Sequence, residues 1–192
     1  MNRTKYSNLD LIGEELKKLE DKTWTDKAFS FLFFSGKYVH LKIHIPNNLF
    51  LRAEVFCDDI RELSEEDFSQ NNLLEILYED FLRENRARES LFNLYTRLSV
   101  HEKKSPSIQG LYIHDDYKQD LYEDTHALTL RIRRKEALRG EVLLSDLSNF
   151  YPDHPFTLEM VLETIYIDFL DDIKKDGSHK AVKELLKRMD ED

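Results

Sequence analysis

The chain has 192 residues, a formal net charge of −10 and a pI near 5.2. Hydrophobic residues make up 41% and aromatics 11%, with only five Gly and four Pro, which supports a packed core and excludes a disordered or low-complexity chain. The acidic balance disfavours nucleic acid and anionic membranes, both polyanions, and leaves basic partners and metal cations open.

Residues 9–19 read as an amphipathic N-terminal helix, with Leu9, Leu11, Ile12, Leu16 and Leu19 near one face. Residues 28–34 form a short Phe-rich run closed by Ser35-Gly36, the pattern of a buried strand and a tight turn. Val39, Leu41, Ile43 and Ile45 alternate with His40, Lys42 and His44, which predicts a strand with one buried face. Pro46-Asn47-Asn48 supplies turn chemistry, and Leu51, Ala53, Val55 and Cys57 then alternate with Arg52, Glu54 and Phe56 as a return strand. Ser69 is an N-cap for a helix whose apolar stripe is Leu74, Leu77, Tyr78 and Phe81, and residues 90–98 predict a second helix. After a solvated link at 101–106, residues 108–114 resume as a strand and 115–124 form an acidic loop. Leu128, Leu130 and Ile132 mark the next strand, Arg134-Lys135 a hairpin tip, and Leu138, Gly140, Val142 and Leu144 the return. Thr157 caps a helix bearing Leu162, Ile165, Tyr166 and Phe169, and Gly177-Ser178 separates it from a last helix at 181–189.

The second half repeats the first. Residues 41–60 align without gaps on 128–147, with seven identities in twenty pairs, including Arg52/Arg139, Glu54/Glu141 and Asp59/Asp146. Residues 73–82 align on 161–170 with six identities in ten, including Glu75/Glu163, Tyr78/Tyr166 and Asp80/Asp168. Chance gives about two identities over such a length, so a duplicated supersecondary unit is the better reading. The expected fold is α+β: two βββαα units at 1–100 and 101–192, with helices on one face of antiparallel sheet and one compact pseudo-twofold domain.

The N-terminal residues lack the apolar stretch of a signal peptide, and the longest apolar run, 29–34 interrupted only by Ser30, is far too short for a membrane span. A soluble, cytoplasmic protein is expected. Cys57 is the single cysteine and reads as a small core residue. Arg52/Glu54 and Arg139/Glu141 read as cross-strand charge pairs on a solvent face, with a shared binding surface as the alternative. The repeated acids Glu75/Glu163 and Asp80/Asp168 read as surface acids near helix starts, or as a cation site on a twofold axis. His114, Asp115, Asp116, Asp124 and His126 flank the acidic loop and are the ligand types a divalent metal takes. Arg131, Arg133, Arg134, Lys135 and Arg139 form the one basic cluster, a candidate protein-interaction surface. Tyr151-Pro152-Asp153-His154-Pro155 reads as a turn.

There is no Gly-rich phosphate loop, Cys-x-x-Cys, His-Glu-x-x-His or Gly-x-Ser-x-Gly, so no cofactor is indicated. The best reading is a non-enzymatic interaction or regulatory protein, adaptor- or chaperone-like, with a protein partner or a homodimeric arrangement. A metal-dependent hydrolase or nuclease using the His/Asp cluster is the alternative. An acidic DNA mimic is a second, because residues 58–67 hold six acids and one arginine.

Overall fold

The structure is a computed structural model that describes residues 5–21, 38–85, 90–102 and 124–189. Within them the chain is α+β, with seven helices and one two-stranded antiparallel sheet. Helix α1 is Leu11–Asp21, β1 is Tyr38–Pro46, α2 is Asn47–Ser64, α3 is Gln70–Glu84 and α4 is Ser90–Glu102. Strand β2 is Thr125–Arg133, α5 is Arg134–Ser148, α6 is Leu158–Asp176 and α7 is His179–Met189. No helix among the described residues is long and apolar enough to cross a membrane.

The expected return strands do not form. Residues 51–57 lie inside α2 and residues 138–144 inside α5. The buried positions of α2 are Leu49, Ala53, Phe56, Cys57 and Ile60, the spacing of a 3.6-residue period. In α5 they are Ala137, Gly140, Glu141, Leu144 and Leu147. Leu51 and Val55, which suggested a period of two, sit on the solvent side of α2. Pro46-Asn47-Asn48 and Arg134-Lys135 are therefore not hairpin tips but the junctions at which each strand turns directly into a helix. Each half is strand-helix-helix-helix within the described residues, in place of the expected βββαα order. The predicted strands at 28–34 and 108–114 lie outside the described residues.

The strand pairing is symmetric about one residue pair. Tyr38 pairs with Arg133, Pro46 with Thr125, and Lys42 with Thr129 at the centre. Lys42 and Thr129 are also partners in the sequence alignment, since 129 is 87 beyond 42, so the register places a local twofold axis through them. Leu41, Ile43, Ile45, Leu130 and Ile132 form the buried face of the ribbon, while Tyr38, His40, Lys42, Thr129 and Arg131 face solvent.

The second helices carry the core. Ser69 accepts the Asn72 N–H, and the Asn72 carboxamide oxygen accepts the Ser69 N–H at 3.1 Å in return, closing a capping box at the start of α3. Thr157 caps α6 by accepting the Met160 N–H at 3.4 Å. The first nine residues of α6, from Leu158 to Tyr166, are all buried, and α6 packs on β1, α2, α3, α4 and α5. Tyr78 and Tyr166, equivalent residues in α3 and α6, are both buried with their hydroxyls bonded, Tyr78 to the Glu136 carbonyl and Tyr166 to the Gln70 side chain. Burial pushes both phenols well above their ordinary range. Gly140 is required where Tyr78 crosses α5: a Cβ there would lie 2.1 Å from the Tyr78 hydroxyl oxygen and 2.7 Å from Leu158 Cδ1. At its equivalent in α2 stands Ala53, fully buried.

Candidate functional site

Residues 5–10 precede α1 and, with its first turns, form a strap that runs antiparallel along α5, with contacts every seven residues of that helix. Tyr6 Oη is 2.8 Å from Ser148 Oγ. Glu141 is fully buried and accepts the N–H groups of Leu11 at 3.0 Å and Ile12 at 2.8 Å, together with the Ser7 hydroxyl. Arg134 binds Glu14 and Glu15, each at 2.8 Å. The strap also reaches α6, where Leu158 N–H donates to the Tyr6 carbonyl at 2.7 Å and Asn8 N–H to Glu159 at 3.0 Å. A carboxylate buried at the start of a helix is stabilised by the orphan N–H groups and the helix dipole, so Glu141 serves as the N-terminal cap of α1.

The equivalent stripe on α2 is open. The counterparts of Arg134, Leu138, Glu141, Ser145 and Ser148 are Asn47, Leu51, Glu54, Asp58 and Arg61, in each case 87 residues earlier. Asn47, Leu51 and Asp58 are exposed and Glu54 is half-buried. Leu51, Val55 and Leu63 are exposed by 65, 61 and 62%, large values for aliphatic side chains on one helix. Asp58, Glu62, Glu65 and Glu66 follow, all exposed, with Asp58 paired to Arg61 within the helix. Beside this face runs a groove of about 880 Å³ between α2 and α7. Asp59, Glu62 and Leu63 form one wall, and His179, Val182, Lys183, Leu186 and Lys187 form much of the other. The result is an apolar strip with acids along α2 and Lys183 and Lys187 across the groove on α7, a surface that suits the apolar face of an amphipathic helix.

Glu54 itself accepts from Gln70 Nε2, and Gln70 Oε1 accepts from Tyr166, so Gln70 fills from inside the position that the strap fills over Glu141. Only Oε1 of Glu54 is engaged in this way; no hydrogen bond to Oε2 is present among the described residues. Cys57, one turn from Glu54, has its thiol pushed up to about 12, first by burial and then by the Glu54 charge, which removes thiolate chemistry at neutral pH.

The basic cluster is dispersed and largely neutralised. Arg131 lies over the Tyr38 ring at 3.8 Å from its centroid. Arg133 bonds Glu75 at 3.2 Å and also binds Glu79; burial works against its charge, and Glu79, Glu136 and Glu75 overcome it to hold its pKa above the ordinary value. Arg139 pairs with Glu136 at 3.3 Å, and Lys135 is exposed. Of the metal candidates, His114, Asp115 and Asp116 lie outside the described residues. Asp124 accepts the Asn47 N–H through its backbone carbonyl at 2.9 Å, and the His126 ring lies on Phe50 with centroids 3.9 Å apart. Among the described residues no group of three His, Cys, Asp or Glu could hold a metal ion.

The repeated acids act structurally. Glu163 is fully buried, not a surface acid, and accepts the His44 N–H at 2.9 Å on the outer edge of β1. Its oxygen is also 4.0 Å from His44 Nδ1, yet burial and then the Lys42 charge hold that imidazole below its ordinary pKa, so the contact is not an ion pair at neutral pH. Asp80 of α3 takes Arg188 of α7 at 2.8 and 2.9 Å, and Asp168 of α6 takes Arg97 of α4 at 2.7 Å. Each acid thus binds an arginine on the last helix of the other half. Glu141, far from pairing across strands, caps α1.

No protein-family model, curated protein or solved structure matches this chain.

Proposed function

We propose that this chain is a non-enzymatic interaction module whose outer α2 face docks a basic amphipathic helix of a protein partner. The observation that carries the reading is the exposure of Leu51, Val55 and Leu63 on a helix that also bears Asp58 and Glu62 and is followed by Glu65 and Glu66. Burying those aliphatic side chains supplies the affinity, at about 25 cal/mol per Å² of apolar surface removed from water. The acids select cations and speed the encounter. The strand-helix-helix-helix order, present twice, supports a duplicated module with local twofold symmetry whose two outer faces have diverged. An acidic DNA mimic would use the carboxylates alone and would leave Leu51 and Val55 without a role, which favours the helix-docking reading. The His114, Asp115, Asp116, Asp124 and His126 cluster carries no part of it.

The test is a fluorescence-anisotropy titration of the full chain with a labelled peptide of leucine and lysine in helical register. Saturable binding with a dissociation constant on the order of micromolar, weaker at high salt and lost in the Leu51→Asp/Val55→Asp variant, supports the reading. Absence of binding, equal binding of a leucine and glutamate peptide, or indifference to Leu51→Asp/Val55→Asp overturns it.

A further inference from the structure

Resting on the reading of α2 as a docking face, we infer that what it binds is the start of a helix, running antiparallel to α2, with Glu54 receiving the first free N–H groups of the partner. The template is inside the molecule. On α5 the equivalent stripe is occupied, and its occupant is a helix start: Leu11 and Ile12 N–H groups on Glu141, Tyr6 beyond them at Ser148, and Glu14 and Glu15 at Arg134. The strap runs from the C-terminal end of α5 towards its N-terminal end, which fixes the polarity that the same stripe on α2 accepts. Glu54 stands at the position of Glu141 and retains its Oε2 oxygen for N–H donors, while Leu51 stands at the position of Leu138, which is packed against the core cluster.

The differences between the two stripes define the partner. Arg134 becomes Asn47, so acids placed like Glu14 and Glu15, at the end of the first turn of α1 and just after it, lose their partner. Ser148, which holds Tyr6, becomes Arg61, and Arg61 pairs with Asp58 within α2, so the place of Tyr6 in the partner does not take a cation. The occupant is a segment of another protein that starts a helix with an apolar first turn and carries cations, not acids, where Glu14 and Glu15 stand in this chain. Its backbone N–H groups point at a carboxylate because the first turn of any helix leaves them without internal acceptors.

The probe is a labelled peptide with residues 4–19 of this chain carrying Glu14→Lys and Glu15→Lys, titrated against the full chain. Glu54→Gln is expected to weaken binding about tenfold, the loss of one charge-assisted contact. A peptide N-methylated at its Leu11 and Ile12 amides is expected to lose a similar factor, and this arm does not depend on the folding of any protein variant. Arg52→Gln, on another side of α2, is expected to change nothing. If Leu51→Asp abolishes binding but Glu54→Gln and N-methylation do not weaken it, α2 docks helices by their sides and this inference falls while the docking face stands. If neither this probe nor the leucine and lysine peptide binds, both fall.

Discussion

Glu54 and Glu141 occupy the same place in two helices that share strand entry, length of first turns and most of their buried positions, yet their surroundings are opposite. Glu141 is sealed under the strap and α1, whereas Glu54 is half-buried beside an open aliphatic strip. One half has therefore solved an exposed helix face with the N-terminal segment of the chain, and the other presents that face to solvent. Repetition of a fold unit does not repeat its surface. The strap exists once; it covers Glu141 and leaves Val142 and Phe150 exposed, and the difference between the faces lies at Glu54 and at Leu51, which is exposed where Leu138 packs on the core.

That comparison can be broken in several places. The largest effect is expected at Gly140 and Ala53. Gly140→Ala places a methyl group against the Tyr78 hydroxyl and Leu158 and should cost about 3 kcal/mol in chemical denaturation. The reverse change in the other half, Ala53→Gly, should cost about 1 kcal/mol, from helix propensity and a lost buried methyl. Equal costs would mean that the two helix crossings are not as different as the close approach implies.

Next come the paired carboxylates. Glu141→Gln removes a charge from three donors on the strap and should destabilise by about 2 kcal/mol, with faster hydrogen exchange at Leu11 and Ile12. Glu54→Gln should change stability by no more than about 0.5 kcal/mol, because its partner among the described residues is a neutral amide. Similar losses in both would contradict the asymmetry.

A smaller effect is expected from pH. His154, in the turn that meets the strap, donates through Nε2 to the Leu144 carbonyl at 3.0 Å and accepts the Phe156 N–H at Nδ1 at 3.1 Å. Burial lowers its pKa, only partly countered by the bond to Leu144. The unfolded chain therefore takes the proton first, near the ordinary histidine value of about 6.5. The stability contributed by neutral His154 is full above that pH and is lost as pH falls towards the folded-state value. Thermal melts of the native chain and of His154→Gln should converge between pH 7 and pH 5; a constant gap would show that His154 does not titrate on unfolding. The smallest effect is expected from Leu51→Asp, within about 0.5 kcal/mol of native stability, since the side chain makes no core contact.

Much of this was legible in the residues. Alternation in 38–46 and 125–133 marks both strands and Ser69 and Thr157 mark helix starts, whereas the pairing of the two strands about Lys42 and Thr129 has no signal in the sequence, since a shift of 87 fits a twofold through any equivalent pair. The return strands were misread because Leu51, Val55 and Val142 are apolar on the solvent side of their helices, and over seven residues they produce alternation that masks the longer stripe from Leu49 to Ile60. Of these, Leu51 and Val55 are also part of the docking face on α2. Burial of Glu141 and Glu163 had no local signal, because their donors, at Leu11, Ile12 and His44, lie more than 100 residues away in the chain. The metal candidates at 114–116 remain beyond the described residues, and the arginine cluster was read as a tip only because a strand was expected to follow it.

The most direct test of the difference between the two faces is an amide NMR titration of the full chain with the lysine-substituted strap peptide. The account predicts that shifts move at Leu51, Glu54, Val55 and Asp58 while Leu138, Glu141, Val142 and Ser145 stay still. Movement confined to the α5 set, or no movement in either, would contradict it.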